Sequence, residues 1–576
     1  MKLNKKYIEI FDKIQTVPDL ADYIVDCHKE LLAVISKNRD REETYTYIQM
    51  RQDAWRVASW LAQQSVFGQH MAIIGNLCYE WFVIFFGVLA SGNVVVPIDR
   101  ELNESDMAKL LRQGDVTHLF LEGTSSHKAN NLETSVETIN TLILYGEDCE
   151  SNMARNLRQY MEAQPIPDPR VSHNDLPVSI APLDSAMMVF TSGTTGDSKA
   201  VMLSHKNICD NLCCSLHFLQ DVHFTAGERI IPVLPPHHMF ELTTGLLAPL
   251  FYGGSICFGG GLKYISKNVK YFQPVGMILV PMVAEGLYKK ICLEISRKGK
   301  EKQMERFIRI SNRLLTWKID LRRWLFKDIH EVFGGKMRVI VCGGAFLEPD
   351  LLRRFNEWGL SMRNGYGITE CSPVVSCNMA KSQKAGSIGI LPPSRYCQVK
   401  ISDGEILVRG SIVMKEYYKD LEATADAFVE GWFKTGDLGY LDDEGFLFLT
   451  GRKKNLIVLA DGNNISPEEL ENHLEKLPLV KSIMVCEKKH QQTMLVTACI
   501  FPDQEYAKEA GITDIQAELE RETAAYNATL PPHKRVQKIE MVAEDFEKTA
   551  LGKIKRYKFE GGRETHEWTN NQGPSH

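Results

Sequence analysis

The sequence predicts an α/β protein built on a parallel, doubly wound sheet, with a smaller α+β unit at its C-terminal end. Three observations carry that expectation. Apolar runs of strand length alternate with helix-like segments between residues 71 and 123. The alternation resumes between residues 229 and 281, and near residue 396 the apolar period drops to two.

Taken in order, residues 44–64 mix polar and apolar side chains at helical spacing and read as an amphipathic helix. MAIIG (71–75) reads as a strand. The apolar stretch 81–89 fits a buried helix, since a bilayer span needs about 20 apolar residues. NVVVPID (93–99) and VTHLFLEG (116–123) are strands around a helix near 105–113. Residues 133–184 have no clear period and are expected to cross the surface. MMVF (187–190) is a short buried strand that empties into TSGTTGDSK (191–199). RIIPVLP (229–235), SICFGG (255–260) and VGMILVP (275–281) are further strands, separated by helices beginning near His238 and Ser266. RVIVCGGAFLEPD (338–350) is a strand, a Gly-Gly turn and the start of a helix that runs through Trp358.

From residue 396 to 409 a hairpin is expected around Ser402, Asp403 and Gly404. A second turn, 442–445, precedes FLFLTGR. The smaller unit begins at GRKKN (451–455). In it Ser466, Pro467 and Glu469 form a helix-start signature, with Ser as the cap and Glu reaching back. SIMVC (482–486), MLVTACIF (494–501), a helix from about residue 515 and IEMV (539–542) complete it. The polar tail after residue 560 is expected to be disordered.

Composition narrows the function classes. A net charge of −6 gives no reason to expect a nucleic-acid partner. The 14 cysteines show no metal-ligand spacing, which suits free thiols in a reducing cytosol. The first residues, MKLNKKYIEIFDKIQ, have neither an apolar core nor a small-residue cleavage site, so no secretion leader is read. Between residues 297 and 327 eleven Lys/Arg stand against three Asp/Glu, with aromatic residues interleaved. That segment, Arg322 and Arg323 included, suits either peripheral contact with anionic lipid or a solvated helical pair packed on the domain.

The loop 191–199 offers hydroxyls from Thr191, Ser192, Thr194, Thr195 and Ser198, tight turns at Gly193 and Gly196, and the cation of Lys199. Such a loop suits a polyphosphate. It is not a Walker A loop, because its Lys follows Ser198 instead of Gly. In NGYGITE (364–370), Tyr366 suits base stacking, Thr369 a phosphate and Glu370 Mg²⁺. Asp437 in GWFKTGD suits two ribose hydroxyls. His237 and His238 in LPPHHMFE (234–241) are metal ligands, general bases or surface residues, and spacing alone favours the last.

Seven motifs stand in one order: TSGTTGDSK, PPHHMFE, CGGA, YGITE, TGD, GRKKN and TALGKIKR (549–556). Together the chain resembles the AMP-forming acyl-CoA synthetases of the adenylate-forming superfamily. The basic segment before GGK (334–336) looks like that of bacterial long-chain fatty acyl-CoA synthetases. The resemblance implies a large N-terminal domain, residues 1–453, of αβαβα layers plus a distorted β-barrel. It also implies a small mobile α+β domain, residues 454–576, that caps the site.

The resemblance further implies roles. Thr191 to Thr195 and Lys199 form the phosphate loop. Gly343, Gly344 and Ala345, with Asn364, Gly365 and Tyr366, wall the adenine and carboxylate. Thr369 meets phosphate, Glu370 holds the metal, and Asp437 and Arg452 bind ribose. His238 gates an acyl pocket lined by Met239, Phe240, Gly245, Met277 and Val280. Lys454 is the hinge, Lys553 bridges the acyl carboxylate and α-phosphate, and Gly462 borders the CoA thiol tunnel. Where many relatives have Pro at the start of the last motif, this chain has Glu547. The implied reaction takes ATP, Mg²⁺, a medium- or long-chain fatty acid and CoA. Alternatives are an acyl carrier protein as acceptor, an aryl or other acid, and a nucleotide-binding scaffold without catalysis. The last is opposed by intact Lys199, Glu370 and Lys553.

Overall fold

The computed structural model describes residues 5–38, 41–146, 156–191, 198–259, 264–459, 464–490, 493–548 and 554–560. The tail after residue 560 lies outside them. The described chain divides into two compact units: one holds the residues up to 399 together with 408–433, the other 400–407 and those from 434 onward.

Two sheets dominate the first unit. One runs in the order Glu416–Tyr417, Lys199–Ser204, Ser185–Thr191, Val94–Ile98, His70–Ile74, Val116–Glu122 and Thr141–Tyr145. Its last five strands are parallel. Lys199–Ser204 and Glu416–Tyr417 add an antiparallel edge. The crossover helix Tyr79–Ala90 buries every residue except Glu80, which is why its sequence is apolar on all sides. Thr141–Tyr145 corrects the surface crossing expected over 133–184. TLILY is a short strand with no alternation to mark it, and it pairs as the sheet's last member.

The second sheet has eight strands: Val374–Cys377, Ser361–Gly367, Val339–Gly343, Gly276–Leu279, Arg229–Ile231, Ser255–Phe258, Leu32–Asn38 and Arg41–Thr46. The helix expected over 44–64 begins only at Tyr47. Residues 44–46 stay in the strand, and Thr46 caps the helix in a reciprocal pair with Gln49. The run 229–235 gives only Arg229–Ile231, since Pro232 has no N–H for the ladder. Helices Pro281–Arg297 and Glu301–Thr316 lay part of the basic segment against this sheet, with Ile291 and Ile308 in the core cluster beneath it.

Helix His205–Leu219 is buried along nearly its whole length and opens with a capping box between Ser204 and Asn207. Asn207 donates to the carbonyls of Ser411 and Val413 at 2.7 and 2.9 Å. Asn211 donates to those of Cys371 and Val374 at 2.8 and 2.9 Å and accepts the Val374 N–H.

A five-stranded sheet joins Gln398–Ser402, Glu405–Arg409, Trp432–Leu441, Phe428–Val429 and Leu447–Arg452. Its first hairpin turns at Asp403 (φ 50°) and Gly404 (φ 76°), the pair of left-handed residues that a tight hairpin needs. Elsewhere in the second unit Val480–His490, Thr493–Pro502 and Lys538–Met541 form a three-stranded sheet. Leu470, Leu474, Ile483, Val485, Ile500 and Leu519 make its core with helices Pro467–Leu474 and Ile515–Asn527. Ser466 precedes the first of these helices but does not cap it. Its hydroxyl donates to Glu468 at 2.9 Å, while Glu469 takes Lys534 at 2.7 Å instead of reaching back.

Candidate functional site

In the first unit, strand Ser185–Thr191 turns back as Lys199–Ser204, with Thr191 opposite Lys199. Ser192, Gly193, Thr194 and Thr195 lie outside the described residues. The Lys199 ammonium stands 4.5 Å from the centre of the Tyr417 ring. The Tyr417 hydroxyl donates to Glu370 Oε1 at 3.0 Å. Thr369 and Glu370 begin the 3₁₀ turn Thr369–Cys371, and the Glu370 carbonyl accepts the Met414 N–H at 2.7 Å. Strand pairing thus gathers Lys199, Glu370 and Tyr417, residues far apart in sequence.

Burial and the Glu370 carboxylate push the Tyr417 phenol well above its usual range, so it remains a donor. Among the described residues no three His, Cys, Asp or Glu side chains converge to hold a metal. A half-buried Glu370 suits a Mg²⁺ that brings phosphate oxygens and water as its other ligands. The donor set fits a nucleotide-borne cation.

Strands Val339–Gly343 and Ser361–Gly367 run parallel with Gly343 opposite Gly365. A Cβ on Gly343 would stand 3.0 Å from the Gly365 carbonyl oxygen, and Gly344 holds φ 85°. Ala345 is exposed, while Asn364 and Tyr366 are buried. These six residues lie together at neighbouring strand ends, where open α/β sheets take ligands.

His237 is not the surface residue its spacing suggests. Its side chain is 14% exposed and 3.9 Å from Asp99, and burial pushes its pKa down to about 4, which keeps it neutral. The His238 ring packs 4.3 Å from it, centre to centre. Met239 and Val280 are buried, and Phe240 lies against Gly343. Met277 and Gly245 complete the expected pocket set. Met277 packs in the core cluster with Phe272 and Leu279, and strand alternation turns Ile278 toward Gly245 in its place. A Cβ on Gly245 would meet Glu241 Oε1.

Glu241 opens the π-helix Glu241–Leu247, is fully buried, and accepts the Leu234 N–H at 2.9 Å. Its Oε1 has no partner among the described residues. Burial lifts its pKa from 4.5 to about 8. Glu241, Tyr417, Asn207 and Asn211 were not among the expected site residues. HKNICDNL does carry a signal for the two amides, whose four-residue spacing puts them on one helix face.

In the second unit Asp437 and Arg452 face each other across antiparallel strands, and Arg452 Nε donates to Asp437 Oδ1 at 2.9 Å. Glu405 takes the Gly436 N–H at 3.1 Å and Lys453 at 2.7 Å. Burial and then Arg452 lower the Lys454 pKa to about 8. Gly462 and Lys553 lie outside the described residues. Glu547 pairs with Lys555 and Lys558, both at 2.5 Å, and its carbonyl accepts the Lys555 N–H.

A family model described as AMP-binding enzyme matches residues 23–418, and one for the AMP-binding enzyme C-terminal domain matches 454–562. The chain is 28% identical over 531 residues to the long-chain-fatty-acid–CoA ligase FadD15 of Mycobacterium bovis, covering 85% of this chain and 86% of that protein. It is 25% identical to the chloroplastic long-chain-fatty-acid–[acyl-carrier-protein] ligase AEE15 of Arabidopsis thaliana, covering 86% and 77%. The solved structure of anthranilate CoA ligase AuaEII with anthranoyl-AMP shares the fold, with a TM-score of 0.73 at 20% identity, covering 95% and 96%.

Glu241 gives a pH signature. Its carboxyl stays protonated in the fold while the unfolded chain ionises, so its contribution to stability falls as pH rises from 4.5 and levels off above about 8. Glu241→Gln keeps an acceptor for Leu234 and cannot ionise. Its melting temperature should gain on wild type between about pH 6 and pH 8. A difference that stays constant over that interval contradicts the buried, protonated carboxyl.

Proposed function

The chain belongs to the AMP-binding enzyme family, and we propose that it activates a medium- or long-chain fatty acid with ATP and then transfers the acyl group to the thiol of CoA. The observation that carries this reading is the meeting of Lys199 and Glu370 on Tyr417, which supports assigning the cation to phosphate and the carboxylate to a metal.

The reaction answers an electrophilicity problem. A carboxylate has no good leaving group, so a thiol does not attack it usefully. A carboxylate oxygen attacks the α-phosphorus, the bond to the β-phosphate breaks, and acyl-AMP and pyrophosphate form. The thiolate then adds to the acyl carbon, AMP leaves with the electron pair, and the thiol proton passes to solvent. Mg²⁺ at Glu370 would supply charge neutralisation to the phosphate oxygens. Lys199 adds a fixed cation for the departing pyrophosphate, and Lys553 is assigned to the acyl carboxylate and α-phosphate.

Thr191, Ser192, Gly193, Thr194 and Thr195 are assigned to the phosphates with Thr369, and Asp437 and Arg452 to the ribose. The wall Gly343, Gly344, Ala345, Asn364, Gly365 and Tyr366 is assigned to adenine. His238, Met239, Phe240, Gly245, Met277 and Val280 are assigned to the acyl chain, Lys454 to the hinge and Gly462 to the thiol. The boundary between the two domains is placed at 453/454. The likeness to a carrier-protein ligase supports phosphopantetheine as a second acceptor.

The enzyme is read as cytoplasmic, with peripheral contact to anionic membranes. Among the described residues no helix is long and apolar enough to cross a membrane. Trp317 and Trp324 are 65% and 74% exposed, and Arg306, Ile310 and Arg313 share the helical stripe that leads to Trp317. Arg322 holds Asp320 and the Asn356 carbonyl, and Arg323 the carbonyls of Gly335 and Met337.

Two experiments test these readings. Lys553→Ala should lose acid-dependent pyrophosphate release while still forming thioester from supplied acyl-AMP, in a screen over acids of graded length with CoA or carrier protein. Equal loss of both half-reactions speaks against the assignment, and no release by wild type with any acid leaves the scaffold reading standing. In sedimentation with anionic vesicles, the double change Trp317→Ser and Trp324→Ser should lower the bound fraction several-fold. Unchanged binding dismisses the membrane surface.

A further inference from the structure

We propose that Tyr417 is a positioning residue of the adenylation site, standing between Lys199 and Glu370 so that the cation and the carboxylate do not neutralise each other before nucleotide binds. The inference rests on the proposed adenylation and concerns the same site.

The two charges have opposite sign and opposite tasks. Lys199 must meet phosphate oxygens, whereas Glu370 must meet the cation those oxygens carry. Left in contact they would form an ion pair, and a nucleotide would have to break it. Among the described residues no ion pair joins them. The ammonium rests against the Tyr417 ring at 4.5 Å, and the carboxylate takes the Tyr417 hydroxyl at 3.0 Å. An aromatic face attracts a cation through its quadrupole and holds it more weakly than a carboxylate does. A single O–H on Oε1 fixes the carboxylate while leaving further lone pairs for a metal.

Tyr417 is itself held on both sides. Strand Glu416–Tyr417 pairs with Lys199–Ser204, Tyr417 opposite Val201. The flanking N–H groups of Lys415 and Tyr418 donate to Met202 and Ala200 at 3.0 and 2.8 Å. The Tyr417 N–H donates to Thr424 Oγ1 at 3.0 Å, and the side chain is buried. The same strand pairing thus delivers the spacer to the neighbourhood of the lysine whose charge it keeps apart.

The test uses full-length wild type, Tyr417→Phe and Tyr417→Leu. Bound Mn²⁺ is read by electron paramagnetic resonance with α,β-methylene-ATP present, and nucleotide affinity is read separately. Tyr417→Phe keeps the ring and loses the hydroxyl, so its Mn²⁺ affinity should fall about tenfold, the scale of one hydrogen bond to a charged group. Its nucleotide affinity without metal should stay within about twofold of wild type, because the ring still holds Lys199 clear of Glu370. Tyr417→Leu should weaken both. Melting curves report on folding, and Tyr417→Phe decides the question if Tyr417→Leu unfolds. Unchanged Mn²⁺ affinity in Tyr417→Phe overturns the proposal. A wild type that binds nucleotide and releases pyrophosphate beside a silent Tyr417→Phe removes only the role of Tyr417. A wild type that does neither removes the adenylation reading with it.

Discussion

Helix His205–Leu219 turns Asn207 and Asn211 toward the segments at 371–374 and 411–413, where each carboxamide satisfies two backbone carbonyls. Left unpaired in a buried setting, each such group costs about 1–3 kcal/mol. The site depends on these bonds. Cys371 follows Glu370 directly, and Val413 precedes the Met414 whose N–H binds the Glu370 carbonyl. Two residues further on begins the strand that carries Tyr417. One buried helix face therefore holds the segments that carry Glu370 and Tyr417, and the strand of Tyr417 pairs with the strand that opens at Lys199.

Charge is handled differently in the two units. Glu370 and Lys199 share a tyrosine, and in the second unit Asp437 lies against Arg452 while Glu405 takes Lys453. Glu241 is the exception, a carboxyl with no counter-ion that stays protonated by burial. It ties the loop after Arg229–Ile231 through Leu234. Glu241 stands one helical turn before Gly245, so a Cβ on that glycine would meet its carboxyl.

Much of the fold was legible because parallel strands announce themselves: VVVPI is buried and apolar throughout, and helix Tyr79–Ala90 is buried at every residue but Glu80. TLILY was not, being too short to show a period. Ser466 carries a cap's identity, but its hydroxyl donates to Glu468 and accepts no N–H of the helix. Lys199, Glu370 and Asp437 stand out in the sequence because each sits in a motif dense with Gly, Ser or Thr. Tyr417 was not, since its meaning comes from pairing with a strand some two hundred residues earlier. Met277 and Ile278 differ by one step of a strand, and only the register of Gly276–Leu279 decides which of them faces Gly245.

The central claim is that a carboxylic acid is activated as its adenylate before any thiol takes part. Exchange of labelled pyrophosphate into ATP, measured without CoA or carrier protein, tests it most directly. The account predicts exchange that requires a fatty acid and Mg²⁺ and proceeds with no thiol present. Exchange that appears only when a thiol is added, or none with acids of any length, would contradict it.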